Sequence, residues 1–228
     1  MMRIDIISAV PDLLASPLNT SIIKRAQDKG IVKIVIHNLR DYSHNKHKQI
    51  DDKPFGGGAG MVLKPEPFFE CIESLLKERK YNNIIFTTPK GKIFNQKMAN
   101  KLSLGENIMF VTGHYKEIDD RVREKFATDE ISIGNFVLTG GELPSLLIID
   151  AVVRVIPGVL NDSESALDDS FQDGEIIEAP YYTRPADFRG MKVPEVLLSG
   201  NEKEIKKWKE EQSKILTNRW RNFNNLAE

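Results

Sequence analysis

The apolar positions of this chain gather into short continuous blocks that alternate with stripes at helical spacing. Arg3 to Val10 reads as a strand, ended by Pro11. Leu18 to Lys29 predicts a helix closed by Gly30. In Ile31 to Leu39 the residues Ile31, Val32, Ile34, Val35 and Ile36 crowd together, as in a strand buried on both faces. After Pro65 and Pro67, the residues Phe68, Phe69, Ile72, Leu75 and Leu76 recur with the period of a helix. Ile84 to Thr87, Asn107 to Thr112 and Glu130 to Ile133 predict further strands, with helices at Asn95 to Leu104 and Ile118 to Phe126. Glu142 to Ile156 is a long apolar helix stopped by Pro157-Gly158. Strands alternating with helices predict an α/β domain with a mostly parallel sheet.

Two stretches break the rhythm. Arg40 to Gly60 is aperiodic, and loops that long in compact domains are functional or mobile. Leu160 to Gly174 is polar, acidic and short of apolar anchors, which reads as a linker. Beyond it Asn201, with Glu204 three residues later, has the form of a capping box opening a final helix. Ile205, Trp208, Ile215 and Leu216 give that helix its apolar stripe, among many lysines.

Composition adds one thing the pattern does not show. The net charge is only −1, yet the charge is unevenly spread. Lys24 to Lys64 holds nine Lys or Arg against four Asp, together with three of the four histidines. Val155 to Thr183 has no Lys or Arg against seven acidic residues, so basic and acidic roles are kept apart along the chain. The single cysteine, Cys71, rules out an intrachain disulfide and a cysteine-based metal site, and its place on the apolar side of a helix suits packing. No basic leader precedes an apolar segment, and no apolar run is long enough to span a bilayer. A cytoplasmic address and no membrane partner are expected.

The candidate chemistry lies in loops. Phe55-Gly-Gly-Gly-Ala-Gly60 lacks the Gly-Lys-Ser/Thr ending of a P-loop and the spacing of a dinucleotide fingerprint. Set among His44, Lys46, His47, Lys48 and Lys53, it suits contact with a phosphate backbone, and a solvated surface equally. Thr88-Pro-Lys-Gly91, Gly113-His-Tyr115 and Ser132 to Gly141 each follow a predicted strand. In an open α/β sheet such turns line the crevice beyond the carboxyl ends of the strands, where ligands bind. Three of them, rich in Gly, Pro and Thr, favour a shared ligand cradle over ordinary loops. Arg154 sits in the apolar run Ala151 to Ile156, where a guanidinium is costly unless paired or aimed at a ligand or a partner. Asp168 and Asp169 lie in the acidic linker, where solvation is the ordinary role of a carboxylate.

Taken in order, these motifs resemble the bacterial tRNA (guanine-37 N1)-methyltransferases of the SPOUT superfamily. The residues that carry the resemblance are Asp51-Asp-Lys-Pro-Phe-Gly-Gly-Gly-Ala-Gly-Met61, Gly113-His-Tyr115, Ser132-Ile-Gly-Asn-Phe-Val-Leu138, Gly140-Gly-Glu-Leu-Pro144, Ile156-Pro-Gly-Val-Leu160, Asp169-Ser-Phe171, Tyr182-Thr-Arg-Pro185 and Val196-Leu-Leu-Ser-Gly-Asn201. They run through essentially the whole chain. The resemblance implies a SPOUT fold with a deep C-terminal trefoil knot, a feature periodicity alone would not suggest. It divides the chain into a knotted α/β domain binding S-adenosylmethionine (1–159), a mobile interdomain linker (160–175) and a small helical tRNA-binding domain (176–228). It further implies a homodimer acting on tRNA with guanines at positions 36 and 37.

Carried onto this chain, the family's cofactor cradle falls on Thr88, Gly113, Tyr115, Ile133, Gly134, Asn135, Phe136, Val137, Leu138, Gly140, Gly141 and Pro144. Asp169 corresponds to the general base, Arg154 to its partner cation, and His47 with Asp51 to a tRNA-contacting surface. The resemblance links the reaction to magnesium, although no ligand cluster in the sequence would hold an ion, so no metal site is expected. The chemistry agrees with these types. Guanine N1 carries a proton at neutral pH, so a carboxylate must take it, and the charge that spreads to O6 calls for a fixed cation. Two positions depart from the family pattern: Lys116-Glu117 stands where Glu-Gly is usual, and Asn135-Phe136 where Asp-Tyr is usual. No role of the family's glutamate passes to Lys116. Two other functions fit the same fold: methylation of a ribose 2′-hydroxyl, and RNA binding without catalysis.

Overall fold

The computed structural model describes residues 1–160, 169–172 and 174–225, and the chain divides into two compact units, Met1–Asn161 and Asp162–Glu228. The first unit begins with β1 (Met2–Ser8), α1 (Asp12–Leu18), α2 (Ser21–Asp28) and β2 (Val32–Asn38). Two short strands, β3 (Asp51–Asp52) and β4 (Val62–Leu63), precede α3 (Pro65–Glu78), β5 (Asn83–Ile93), α4 (Gln96–Leu102) and β6 (Asn107–Thr112). Then come β7 (Glu117–Ile118), α5 (Asp120–Phe126), β8 (Asp129–Ser132) and α6 (Glu142–Val153).

Five strands form one sheet in the order β2-β1-β6-β5-β8, and every pairing in it is parallel. Alternate residues feed opposite faces. Ile4 and Ile6 of β1, Ile85 of β5 and Ile108 and Phe110 of β6 pack with α1, α2, α4 and α6. Ile7, Ile84, Phe86, Met109 and Val111 face the other way, toward α3 and α5. A sheet covered on both faces needs continuous apolar strands, which is the pattern the sequence carries. Cys71 is buried in the second of these layers, and that burial pushes its thiol up to about 12, so it packs as an inert hydrophobe.

Asp5 on β1 is a fully buried carboxylate with three partners. Its oxygens accept from Arg3 Nη2 at 2.8 Å, His37 Nε2 at 2.7 Å and the Tyr81 hydroxyl at 2.8 Å. Burial alone would raise its pKa, but the bonds from His37, Arg3 and Tyr81 prevail and hold it well below the usual carboxylate range.

Several elements differ from the sequence expectation. The helix expected at 18–29 is α2, which starts only at Ser21, and a separate helix, α1, precedes it over Asp12–Leu18 where none was expected, the chain turning at Asn19-Thr20 between them. The Thr88–Gly91 segment is not a turn after a finished strand. β5 continues through it, with a register shift against β8 between Thr87 and Lys92. The expected loop at 40–60 contributes β3, which joins β4 and β7 in a three-stranded sheet of two-residue strands. The helix expected to reach Ile156 ends at Val153, so Arg154 is its C-cap rather than an interior residue.

The second unit is described by itself. It holds a two-residue hairpin pair, β9 (Asp187–Phe188) with β10 (Met191–Lys192), then α7 (Glu195–Leu198) and the long α8 (Glu202–Asn225). Asn201 Oδ1 accepts from the Glu204 amide at 3.4 Å, the capping contact the sequence suggested. Of the expected linker, 161–168 (Asp168 included) and 173 lie outside the described residues. Asp169-Ser170-Phe171 lies against the rest of this unit: the Phe171 amide donates to Ile176 O at 2.8 Å, the Glu178 amide to Ser170 Oγ at 3.1 Å, and the Phe171 ring meets Trp220 edge-on at 5.2 Å.

Candidate functional site

The register-shift segment of β5 at Thr87 to Pro89 and the carboxyl ends of β6 and β8 open onto one cleft. Three backbone segments wall it, and hydrogen bonds stitch all three together. The Gly141 amide donates to Gly113 O at 2.7 Å, His114 bridges Gly140, and Thr87 Oγ1 donates to Gly141 O at 3.1 Å. Close approach explains the two glycines. A Cβ on Gly141 would overlap Thr87 Oγ1 and stand 3.0 Å from the Gly113 nitrogen, and one on Gly140 would meet Glu142 Oε2 at 2.5 Å.

The structure brings most of the expected cradle to this cleft. Thr88, Gly113, Tyr115, Ile133, Phe136, Val137, Leu138, Gly140, Gly141 and Pro144 line it. Gly134 and Asn135 are not among the lining residues. Gly134 O instead accepts from the Ser132 hydroxyl at 3.0 Å and from the Phe136 amide at 2.9 Å, a tight bend that turns Phe136 toward the opening. Phe136 and Val137 are 54% and 79% exposed, an apolar lip that a planar ring system would cover.

Sequence reasoning placed His114 in a cradle turn without giving it a role, and missed Thr87, Lys116 and Glu117 as lining residues. Lys116 runs beneath the glycine loop, with its Nζ 3.4 Å from where a Cβ on Gly58 would be. Glu117 accepts from Lys90 Nζ at 2.9 Å, and that bond raises the lysine's pKa. A pattern signal for Lys116 existed, since it follows Tyr115 in the same turn.

The remaining expected residues stand elsewhere. Arg154 is half-buried and caps the C-terminus of α6, where the helix dipole favours a cation. Asp169 is half-buried in the second unit. His47 lies on the exposed stretch 44–49, its amide donating to Asn45 Oδ1 at 3.1 Å, and Asp51 pairs with Leu63 in the small sheet. Neither lines the cleft. The basic loop reaches it through Arg40, whose Nη2 is 3.4 Å from the Tyr115 hydroxyl. Among the described residues, no group of three or more His, Cys, Asp or Glu could hold a metal ion, and no helix is long and apolar enough to cross a membrane.

Residues 2–226 match the family model described as tRNA (Guanine-1)-methyltransferase TrmD. Among curated proteins the chain is 56% identical over 220 residues to a tRNA (guanine-N(1)-)-methyltransferase of Bacteroides fragilis, covering 96% of this chain and 97% of that one. It is 57% identical over 210 residues to the protein of that name from Flavobacterium johnsoniae, covering 92% of each. With the one from Chlorobium chlorochromatii it shares 57% identity over 208 residues, covering 91% and 90%.

Proposed function

The chain belongs to the tRNA (guanine-1)-methyltransferase family, an enzyme family, and on that premise we propose that it methylates N1 of guanosine 37 in tRNA, next to the anticodon, with S-adenosylmethionine bound in the cleft described above. The observation that carries the cofactor assignment is the stitched pair of turns at Gly113 and Gly141, which leaves main chain as the wall of the cleft. The apolar lip at Phe136 to Leu138 suits an adenine ring. When bound, the cofactor supplies an electrophilic methyl group, so the chain itself needs no nucleophile.

The chain's own work is with protons and charge. Asp169 takes the N1 proton of guanine, freeing the lone pair for the methyl group. Arg154 stabilises the negative charge that spreads to O6 as that proton leaves. The two belong to different units. The exposed basic loop with His47 and Asp51 contacts the tRNA backbone, and the second unit holds the same substrate, with selection for guanines at 36 and 37. A deep trefoil knot is part of this reading. The strand order β6-β5-β8, with the segment after β8 bonded back to the turn after β6, supports it. So are the domain limits 1–159 and 176–228 about a mobile linker, and a cytoplasmic address. No protein ligand set for magnesium belongs to the proposal.

The cofactor assignment is tested at Gly141. Gly141→Ala forces its new Cβ into Thr87 Oγ1 and against the Gly113 nitrogen. Calorimetric titration with S-adenosylhomocysteine is expected to show binding to the unaltered protein and at least about a tenfold loss in the variant, the weight of one lost contact of ~1.4 kcal/mol. Equal binding would place the cofactor elsewhere.

A homodimer completes the proposal. Leu143 and Leu147 on α6 are 47% and 57% exposed, and with Pro17, Ile22 and Leu146 they line an apolar depression. A second copy of the chain covers it. Leu147→Glu puts a charge in that contact, and light scattering is expected to show dimer for the unaltered protein and monomer for the variant. A variant that stays dimeric would move the interface to another face.

A further inference from the structure

Beside the cleft two polar atoms are buried without a hydrogen-bond partner among the described residues, and they face each other. They are His114 Nδ1 and Glu142 Oε2, 3.6 Å apart. Buried polar atoms are nearly always satisfied, so such a pair calls for a reason. Glu142 is the fixed member. It opens α6, where the helix dipole favours a carboxylate. Its other oxygen accepts from Ser8 Oγ at 2.8 Å, and Thr112 Oγ1 lies 3.1 Å away, sharing its proton between Glu142 and Ile7 O. The carboxylate is thus tied to the carboxyl ends of β1 and β6. His114 lies on the turn after β6, with a side chain 21% exposed. Gly140 is what lets the two approach, since a Cβ there would stand 2.6 Å from His114 Nδ1 and 2.5 Å from Glu142 Oε2.

We propose that His114 is a positioning residue for the cleft: when the cofactor is seated, its Nδ1–H donates to Glu142 Oε2 and clamps the Gly113–Tyr115 turn onto the first turn of α6. This rests on the reading of the cleft as the S-adenosylmethionine site. Hydrogen bonds about a binding site tighten as the complex forms. The clamp has an object. Tyr115 sits at φ 61, a conformation a tyrosine adopts only when its surroundings impose it, and its ring meets that of His114 edge-on at 5.1 Å. Holding His114 therefore holds Tyr115 in the wall of the cleft.

The test uses the different reach of two amides. Asparagine puts an N–H near the position of histidine Nδ1, whereas glutamine puts one near Nε2. Affinity for S-adenosylhomocysteine is measured by calorimetry on the full chain, with turnover on a tRNA transcript and the melting temperature beside it. His114→Asn is expected to stay within about threefold of the unaltered protein, while His114→Gln and His114→Ala weaken binding about tenfold, as loss of a hydrogen bond to a charged group does. The loss is expected in KM for the cofactor more than in kcat, with melting temperatures unchanged. If glutamine preserves binding and asparagine does not, the outer nitrogen is the working atom and the clamp is wrong. Equal binding by all three variants overturns it too. Failure of the unaltered protein to bind S-adenosylhomocysteine is a distinct result: it removes the cofactor reading and this inference with it.

Discussion

Replacing Asp169 by alanine is expected to lower the rate of methyl transfer by about 10²–10⁴-fold, the usual weight of a positioned general base. Cofactor affinity should change little, because Asp169 belongs to the second unit and the cleft is built wholly within the first. The Asp169-Ser170-Phe171 segment is anchored through Ser170 and Phe171, by the bonds to Glu178 and Ile176 and the ring contact with Trp220. Removing one carboxylate leaves those anchors in place. The residual rate of the variant carries a second signature. Without its base the enzyme depends on solvent to take the N1 proton, so the rate should climb with pH after that of the unaltered enzyme has levelled. Single-turnover assays across pH read both effects. A variant with near-normal turnover, or one that loses cofactor binding, would contradict the assignment.

The largest expected effect on stability is at Asp5, far in role from the chemistry. Asp5→Ala deletes a fully buried carboxylate and strands Arg3, whose side chain is only 14% exposed. Breaking a buried pair from one side costs about 3–5 kcal/mol, because the remaining charge has lost its partner. For a unit of this size that is about a 10 °C fall in melting temperature. The pH dependence follows from the direction of the shift. The folded carboxyl is held below its unfolded value of about 3.9, so its contribution is complete above that value and is lost as pH falls toward the folded one. The gap between unaltered and variant proteins in urea unfolding should be full at pH 7 and should narrow below pH ~4. A gap that stays constant with pH would mean the loss comes from packing alone.

These two sites differ in how legible they were. The central sheet could be read from the sequence because it is buried on both faces. Its strands are runs of Ile, Val and Phe that leave no other structure plausible. The helix at Glu142 was legible for the same reason. The small sheet was not, since strands of two residues have no period to detect. β5 was cut short on paper because Thr88-Pro-Lys-Gly91 has turn chemistry, and only pairing with β8 across a register shift carries the strand through it. The hairpin at Arg189-Gly190 was passed over because its flanking strands are two residues each and exposed. At the site, motifs located three segments but not how they touch. The bond from the Gly141 amide to Gly113 O joins residues far apart in sequence, and so does the pairing of His114 with Glu142. Contacts of that kind follow from the fold, and no local spacing announces them.

The most direct measurement of the central claim is methyl transfer from labelled S-adenosylmethionine to two tRNA transcripts. One carries guanines at positions 36 and 37, and the other has position 36 changed. The labelled RNA is digested to nucleosides and separated. The account predicts label on the first transcript alone, in N1-methylguanosine. Label in a 2′-O-methylated nucleoside, or no transfer by protein that binds S-adenosylhomocysteine, would contradict it.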